Sequence, residues 1–264
     1  MVEIESPLQF MLHWLISASG GLLEILLVVR GGKMRLLARY RFFYSYLASV
    51  VLVSVVMFRA LAVGANSALY RDLYWPLQFV TLVTGYGILL EIMNHVLRPY
   101  PGADRFARIS GLAAFAAIFC FALIAPRIMP HWSGGTVIEF ERDMRCVQAI
   151  FISGLLAVIF YYLIPLGRNM KGMMVGYGLY IVTSLVSLAV RSYAGTSFDK
   201  IWEIVQPLSF DLSLLIWLVA LWSYCPNPIA DHTIDLEQDY EALVARTKSV
   251  MDAIRAHIGK AARA

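Results

Sequence analysis

Residues 20–35 have the sequence GGLLEILLVVRGGKMR, and this stretch decides the fold class. An apolar run that contains a single glutamate ends abruptly in a segment of glycine, lysine and arginine. Apolar blocks of about twenty residues, the length that crosses a hydrocarbon core of roughly 30 Å, recur along the chain. The stretch therefore predicts a membrane helix that ends on the basic side of a bilayer.

The composition agrees with a membrane protein. Of the 264 residues, 59% are hydrophobic and only 15% are charged, whereas soluble globular proteins carry about 25% charged residues. Apolar runs that end at charged, proline and glycine residues predict an all-α, polytopic membrane helix bundle with seven transmembrane helices. The predicted spans are residues 7–29, 43–64, 73–97, 106–128, 144–166, 172–194 and 202–224.

The distribution of basic residues predicts the orientation of this bundle. The connections after spans one, three and five, together with the tail after span seven, hold 15 of the 22 lysine and arginine residues. Because cytoplasmic loops carry an excess of these residues, the N-terminus is predicted outside and the C-terminus in the cytoplasm, in the plasma (inner) membrane. The formal charge of +4 indicates contact with anionic lipid head groups, and it does not indicate nucleic-acid binding.

The chain divides into a bundle, residues 1–226, and a cytoplasmic tail, residues 227–264. The sequence Cys225-Pro-Asn-Pro ends the last span, because proline cannot continue a helix. Residues 231–264 predict an amphipathic helix that is not apolar enough to span a membrane. The helix is either a short coiled coil, which would bind a protein partner or a second copy, or a helix packed under the bundle or on the lipid surface. Its spaced residues are Leu236, Tyr240, Leu243, Thr247, Val250, Ile254 and His257.

Ionisable residues inside the spans are the first candidates for function, because burying a charge in a membrane is expensive. Glu24 and Glu91 each lie about 10 Å from the cytoplasmic end of their span, at about 1.5 Å per residue. One hypothesis is a polar cavity in which both bind a proton, a cation or a cationic group. The alternative is that each is a packing element, with Glu91 paired to His95 four residues later.

Asp211 lies near the middle of span seven and therefore needs a partner. Arg59 on span two is at the closest predicted depth, and Arg191 on span six reaches part of the way. These residues predict either a structural Asp–Arg bridge or an anion or polar-ligand site. The full set of candidates for ligand or proton binding is Glu24, Glu91, His95, Asp211, Arg59, Arg191 and Tyr180.

Several chemistries are argued against by the sequence. A retinal pigment needs a lysine in its last span, and no predicted span contains a lysine. Haem held between helices needs histidines at matching depths, whereas His13 is near the outer face and His95 near the inner one. Motifs of metalloproteases, serine hydrolases and P-loop proteins are absent from the sequence. We therefore predict no cofactor, no metal and no catalytic residue, and we place an integral membrane enzyme last among the functional classes.

The predicted layout is similar to that of seven-helix receptors and of the sensory membrane domains that precede some bacterial signalling modules. The similarity is one of architecture alone. It favours a small-molecule sensor or signal-relay protein that acts through its C-terminal helix. The alternatives are a proton-coupled transporter that uses the intramembrane carboxylates and a non-catalytic scaffold subunit of a membrane complex.

Overall fold

The computed structural model describes residues 7–62, 67–128, 136–194, 199–228 and 236–261. Within these ranges the chain forms eight α-helices and no strand, which confirms the all-helical class. The helices are α1 (Pro7–Lys33), α2 (Arg41–Ala62), α3 (Ser67–Leu97), α4 (Pro101–Ile128), α5 (Thr136–Tyr161), α6 (Arg168–Ala194), α7 (Asp199–Ala220) and α8 (Leu236–Ala261).

Four of the described helices are long and apolar enough to cross a membrane. Their candidate spans are Leu15–Lys33, Arg41–Ala60, Pro76–Leu97 and Arg142–Tyr161. The apolar part of α7, Ile204–Ala220, is shorter, and α6 and α7 bury serines that lower their hydropathy. These buried serines are Ser184, Ser187, Ser209 and Ser213. The chain is therefore a helical protein with several membrane-compatible helices, and the count of seven spans and the orientation stay predictions.

Helix α1 packs along α7, and the two run parallel. The Ser19 hydroxyl bonds to Asp211, and the Arg30 guanidinium bonds to the Trp222 carbonyl at 2.9 Å. Both pairs are separated by 192 residues in the sequence, so the register between the two helices stays the same from Ser19 to Arg30. Contact between α1 and α2 is much sparser than between α1 and α7, and this leaves a gap on one side of α1.

Two glycines bring α6 against α7. A Cβ atom at Gly172 would collide with the Cβ of Ala220, and one at Gly176 would collide with the indole of Trp217. The Trp217 Nε1 donates to the carbonyl of Met173 at 3.3 Å, and the Trp217 side chain is fully buried. Small residues four apart in the sequence predict a close helix contact, and the structure confirms it for these two glycines.

The segment 221–228, here called the connector, links α7 to the tail at the same end of the bundle as the basic loops. The predicted seventh span extended to residue 224, but α7 ends at Ala220 and the backbone then turns. The connector is fixed by polar contacts to three parts of the bundle, so it is an ordered part of the fold. Its hydrogen bonds join Asn169 to Ser223 and Cys225, and Asn227 to Gly167 and His95.

Helix α8 is attached to the bundle through its first turn. Leu236 is buried, and the Tyr240 ring lies 6.4 Å from the ring of Phe106 on α4. The Tyr162 hydroxyl, just after α5, donates to the Asp239 carboxylate at 3.0 Å. Beyond this turn every described side chain of α8 is exposed.

Candidate functional site

A cavity of about 610 Å³ occupies the gap between α1, α2 and α7. It falls within the volume range of about 300–1,000 Å³ that is typical of small-molecule sites. Exposed side chains of Ser54, Val55 and Phe58 mark the side on which it opens, between α1 and α2. Its polar and charged lining residues are Ser17, Glu24, Ser54, Arg59 and Asp211.

Glu24 is the most deeply buried charged residue of this cavity. Its side chain is 6% exposed, and within the described part of the chain its carboxylate has no hydrogen bond and no ion pair. Asp211 is its electrostatic neighbour. Two carboxylates facing one cavity repel each other, so a cation between them would be stabilised by both.

Asp211 is positioned by α1. The Ser19 hydroxyl donates to Asp211 Oδ2 at 2.7 Å. A Cβ atom at Gly20 would lie only 2.6 Å from Asp211 Oδ1, so the carboxylate fits beside α1 because residue 20 has no side chain. The close approach of α1 and α7 thus places Asp211 at the wall of the cavity.

Arg59 supplies a cationic group at the other end of the cavity from Glu24. Gly31 packs directly on Tyr44, so α1 and α2 run antiparallel from that contact. Arg59 is then level with Ile16, about 12 Å along the axis from Glu24 at about 1.5 Å per residue. Among the described side chains Arg59 forms no ion pair with Asp211, although both residues line the same cavity, so the bridge between these two residues, one of the alternatives considered, is not made.

Glu91 lies outside this cavity and has a different environment from Glu24. Its carboxylate accepts hydrogen bonds from the backbone amides of Phe42 at 3.3 Å and Phe43 at 2.9 Å. These amides belong to the first turn of α2, whose N–H groups have no partner within their own helix. Glu91 therefore caps α2 from the neighbouring helix, which favours the packing interpretation for this residue.

His95 faces a second cavity, of about 440 Å³, at the connector end of the bundle. Its Nδ1 lies 2.9 Å from the carbonyl of Glu91, so the contact between these residues involves the backbone and not the carboxylate. The His95 ring packs on Tyr40 with centroids 5.4 Å apart. Burial raises the pKa of Tyr40 to about 12, so this phenol is neutral beside the histidine. The charged residue that shares the cavity with His95 is Arg98.

A buried polar cluster around Arg145 was not predicted from the sequence. Arg145 is 2% exposed, donates to the Tyr180 hydroxyl at 3.1 Å and lies 4.7 Å from the centre of that ring. Gln148, one turn further along α5, is fully buried, and neither atom of its amide has a partner in the described structure. The sequence did contain a sign of this cluster, because an arginine and a glutamine three residues apart begin the predicted fifth span. Tyr180 thus belongs to this cluster, whereas the side chain of Arg191 lies outside the described residues.

Neither this geometry nor a comparison with known proteins assigns a cofactor. Within the described residues no group of histidine, cysteine, aspartate or glutamate side chains is arranged to hold a metal ion. Comparison of the chain with protein-family models, with curated proteins and with solved structures finds no match. The functional interpretation therefore depends on the residues of the two cavities and of the buried cluster.

Proposed function

We propose that this chain is a plasma-membrane protein with seven spans that binds a small molecule in the cavity between α1, α2 and α7. Its N-terminus would be outside and its C-terminus in the cytoplasm. Four apolar helices support a membrane location. The parallel arrangement of α1 and α7 supports an odd number of membrane crossings between them, and a chain with seven spans has five there.

The observation that carries the proposal is the environment of Glu24. A carboxylate that is 6% exposed, lines a cavity and has no partner within the described structure is costly to keep ionised, and a cationic ligand that pairs with it would offset that cost. Asp211 adds a second acceptor for a cation, and Arg59 offers a cation about 12 Å further along the cavity. The arrangement suits an elongated molecule with an ammonium group at one end and an anionic group at the other.

The route from the cavity to the tail runs through α7. Asp211 and the connector belong to the same helix–turn unit, and Arg30 of α1 lies over the Trp222 ring at 4.5 Å. A ligand that draws α1 towards α2 would change this contact and, through the connector, the tail helix. This arrangement supports the proposal of a sensor or relay protein with α8 as its output element.

Binding is tested with three probes of similar length on the protein in lipid nanodiscs: 6-aminohexanoate, hexylamine and hexanoate. We expect 6-aminohexanoate to bind most tightly and Glu24→Gln to weaken its binding by about tenfold or more, since a hydrogen bond to a charged group contributes about 1.5–3 kcal/mol. Glu241→Gln, at an exposed position on α8, is the matched control. Equal binding to the wild type and to Glu24→Gln would contradict the assignment of the site.

The relay is tested by fluorescence. Trp222 lies at the α1–α7 contact, so bound 6-aminohexanoate should change the tryptophan emission, and Trp222→Phe should remove that change. Binding without any change in the Trp222 signal would leave a binding protein but would contradict a relay through the connector.

A proton-coupled transporter is the second candidate, and one observation favours it: Glu24, in a candidate span, and Asp211, in the shorter apolar helix α7, face a single cavity. In proteoliposomes Glu24→Gln should then abolish proton movement that depends on the probe. Unchanged flux would exclude this role. A scaffold subunit, the third possibility, would bind none of the three probes and would keep its partner at all probe concentrations.

A further inference from the structure

Helix α8 presents an apolar face that nothing in the described structure covers. The side chains of residues 241–252 are all exposed. Among the described residues α8 contacts α4 and Tyr162, which follows α5, and both contacts lie near its own start. The large apolar residues of the uncovered face, with their exposed fractions, are Leu243 (65%), Val244 (47%), Val250 (51%), Met251 (52%) and Ile254 (49%).

The width of this face argues against a simple pair of helices. At about 100° per residue, the five apolar positions cover an arc of about 120° on the helix surface. A two-stranded coiled coil uses a narrower seam, and it gains specificity from opposite charges beside that seam. In a parallel pair of two copies Arg246 would instead face Met251 of the second copy. The pattern therefore suits contact with the apolar part of a lipid bilayer better than contact with a second helix.

The charges around the arc have a pattern that anionic lipid recognises. Arg246 lies beside one edge of the arc, and Lys248 and Arg255 lie beside the other, while Glu241 and Asp252 lie further round the polar side. Cations beside an apolar face reach lipid phosphates while their stems stay in contact with hydrocarbon. Asp252 is 4.0 Å from Arg255, but both are more than half exposed, and such surface pairs contribute little.

The attachment of α8 places its start at the depth of a membrane surface. Tyr240 packs on Phe106, which is five residues into α4 and so about 8 Å from the helix end at about 1.5 Å per residue. Phe106 is 63% exposed and begins an exposed apolar stripe with Ile109 and Leu112. The apolar face of α8 is therefore continuous with a surface that faces lipid if α4 spans the membrane.

We propose that α8 lies on the cytoplasmic membrane surface, with the arc Leu243–Ile254 in the interfacial region and Arg246, Lys248 and Arg255 bound to anionic phospholipid head groups. The proposal does not depend on a ligand in the cavity between α1, α2 and α7. Any soluble partner would then bind the exposed polar side of α8 and not its apolar side.

The test uses the full chain in nanodiscs, with Cys120, Cys146 and Cys225 replaced by serine. An environment-sensitive fluorophore is attached at Val250→Cys on the apolar arc or, as the matched control, at Ser249→Cys on the polar side. In discs that contain phosphatidylglycerol we expect the emission at position 250 to shift to shorter wavelength, with protection from an aqueous quencher. Position 249 should stay water-like, and discs of phosphatidylcholine alone should give a smaller shift at position 250.

Removal of positive charge from α8 distinguishes binding to lipid from binding to a second copy of the chain. Lys248→Gln and Arg255→Gln should each lower the ratio of bound to free α8 by about fivefold, because a cation near an anionic surface contributes about 1 kcal/mol. A water-like signal at position 250 in every lipid would overturn the proposal. A shift that occurs only in discs with two copies of the chain would also overturn it and would assign the arc to self-association. Probe binding in the cavity, measured in the same discs, is unaffected by either result.

Discussion

The Ser19 hydroxyl on α1 donates a hydrogen bond of 2.7 Å to the carboxylate of Asp211 on α7, and the backbone of the next residue, Gly20, lies against the same carboxylate. Two consecutive positions of α1 thus fix one charged group of α7. The orientation of Asp211 in the cavity is therefore a property of the α1–α7 contact and not of α7 alone.

Gly20 and Gly21 are adjacent in α1 but have different surroundings. Gly20→Ala places a methyl group 2.6 Å from Asp211 Oδ1 and should displace the carboxylate, which weakens the binding of 6-aminohexanoate by about tenfold, or about 1.4 kcal/mol. Gly21→Ala meets nothing within 4 Å and should bind as the wild type does. Titration of both variants in nanodiscs measures the difference. An equal loss of binding in the two variants would show that the substitutions disturb helix α1 itself and not the position of Asp211.

The two buried glutamates should respond in opposite ways to removal of their charge. Glu24→Gln removes a buried carboxylate that has no partner among the described residues, and it should leave the free energy of unfolding unchanged or raise it by about 1 kcal/mol. Glu91→Ala removes the cap of α2 and should lower it by about 1–2 kcal/mol. Thermal unfolding of the detergent-solubilised protein compares them. A stable Glu91→Ala variant would contradict the capping role.

Close packing of α6 on α7 predicts a sharp difference between two other glycines. Gly176→Ala would collide with the Trp217 indole and should destabilise the bundle by about 1–3 kcal/mol. Gly154→Ala has open space around it and should be neutral or stabilising by up to about 1 kcal/mol, since alanine favours the helix. Midpoints of thermal unfolding decide between these expectations. A Gly176→Ala variant as stable as Gly154→Ala would mean that α6 and α7 are further apart.

The buried arginine depends on the Tyr180 hydroxyl. Tyr180→Phe removes an acceptor from Arg145 and should cost about 1–3 kcal/mol, because the guanidinium stays buried with one donor less satisfied. Tyr161→Phe, at a position that is 71% exposed, is the control and should change stability by less than about 0.5 kcal/mol. Denaturant unfolding in mixed micelles measures both. Similar effects of the two variants would argue against a structural role for the Tyr180 hydroxyl.

Two truncations separate the tail from the connector. A chain that ends after Pro228 keeps every hydrogen bond of the connector and should retain the unfolding temperature of the full bundle. A chain that ends after Ala220 leaves Asn169 and Arg30 without their backbone partners and should unfold at a lower temperature. Equal stability of the two truncated chains would show that the connector contributes nothing to the bundle.

Local patterns in the sequence predict the helices and one of their contacts. Apolar blocks of membrane length are visible without any partner, and the pair Gly172 and Gly176 predicts a close approach because small residues four apart form one smooth stripe. The end of α7 was predicted too late, at residue 224. The cause is that Trp222 and Tyr224, although hydrophobic, lie in the connector, where Arg30 and Arg39 stack on their rings.

The site was predicted only in part, because depth along a helix does not give rotation about its axis or the identity of its neighbours. Glu24 and Glu91 have similar predicted depths, yet Glu24 faces α7 and Glu91 faces the backbone of α2. A carboxylate bound to backbone amides leaves no trace in a side-chain pattern. Matching depth did predict that Asp211 and Arg59 line the same cavity, and of the two alternatives for this pair the described side chains do not form the ion pair.

The parallel contact between α1 and α7 also sets the order in which the protein can be completed. Glu24 is translated 187 residues before Asp211, as their positions show. At synthesis rates of about 5–20 residues per second, this interval lasts about 9–37 s. During that time the cavity lacks its α7 wall, and the carboxylate of Glu24 lacks its neighbour Asp211. The complete cavity is therefore among the last features of the bundle to form.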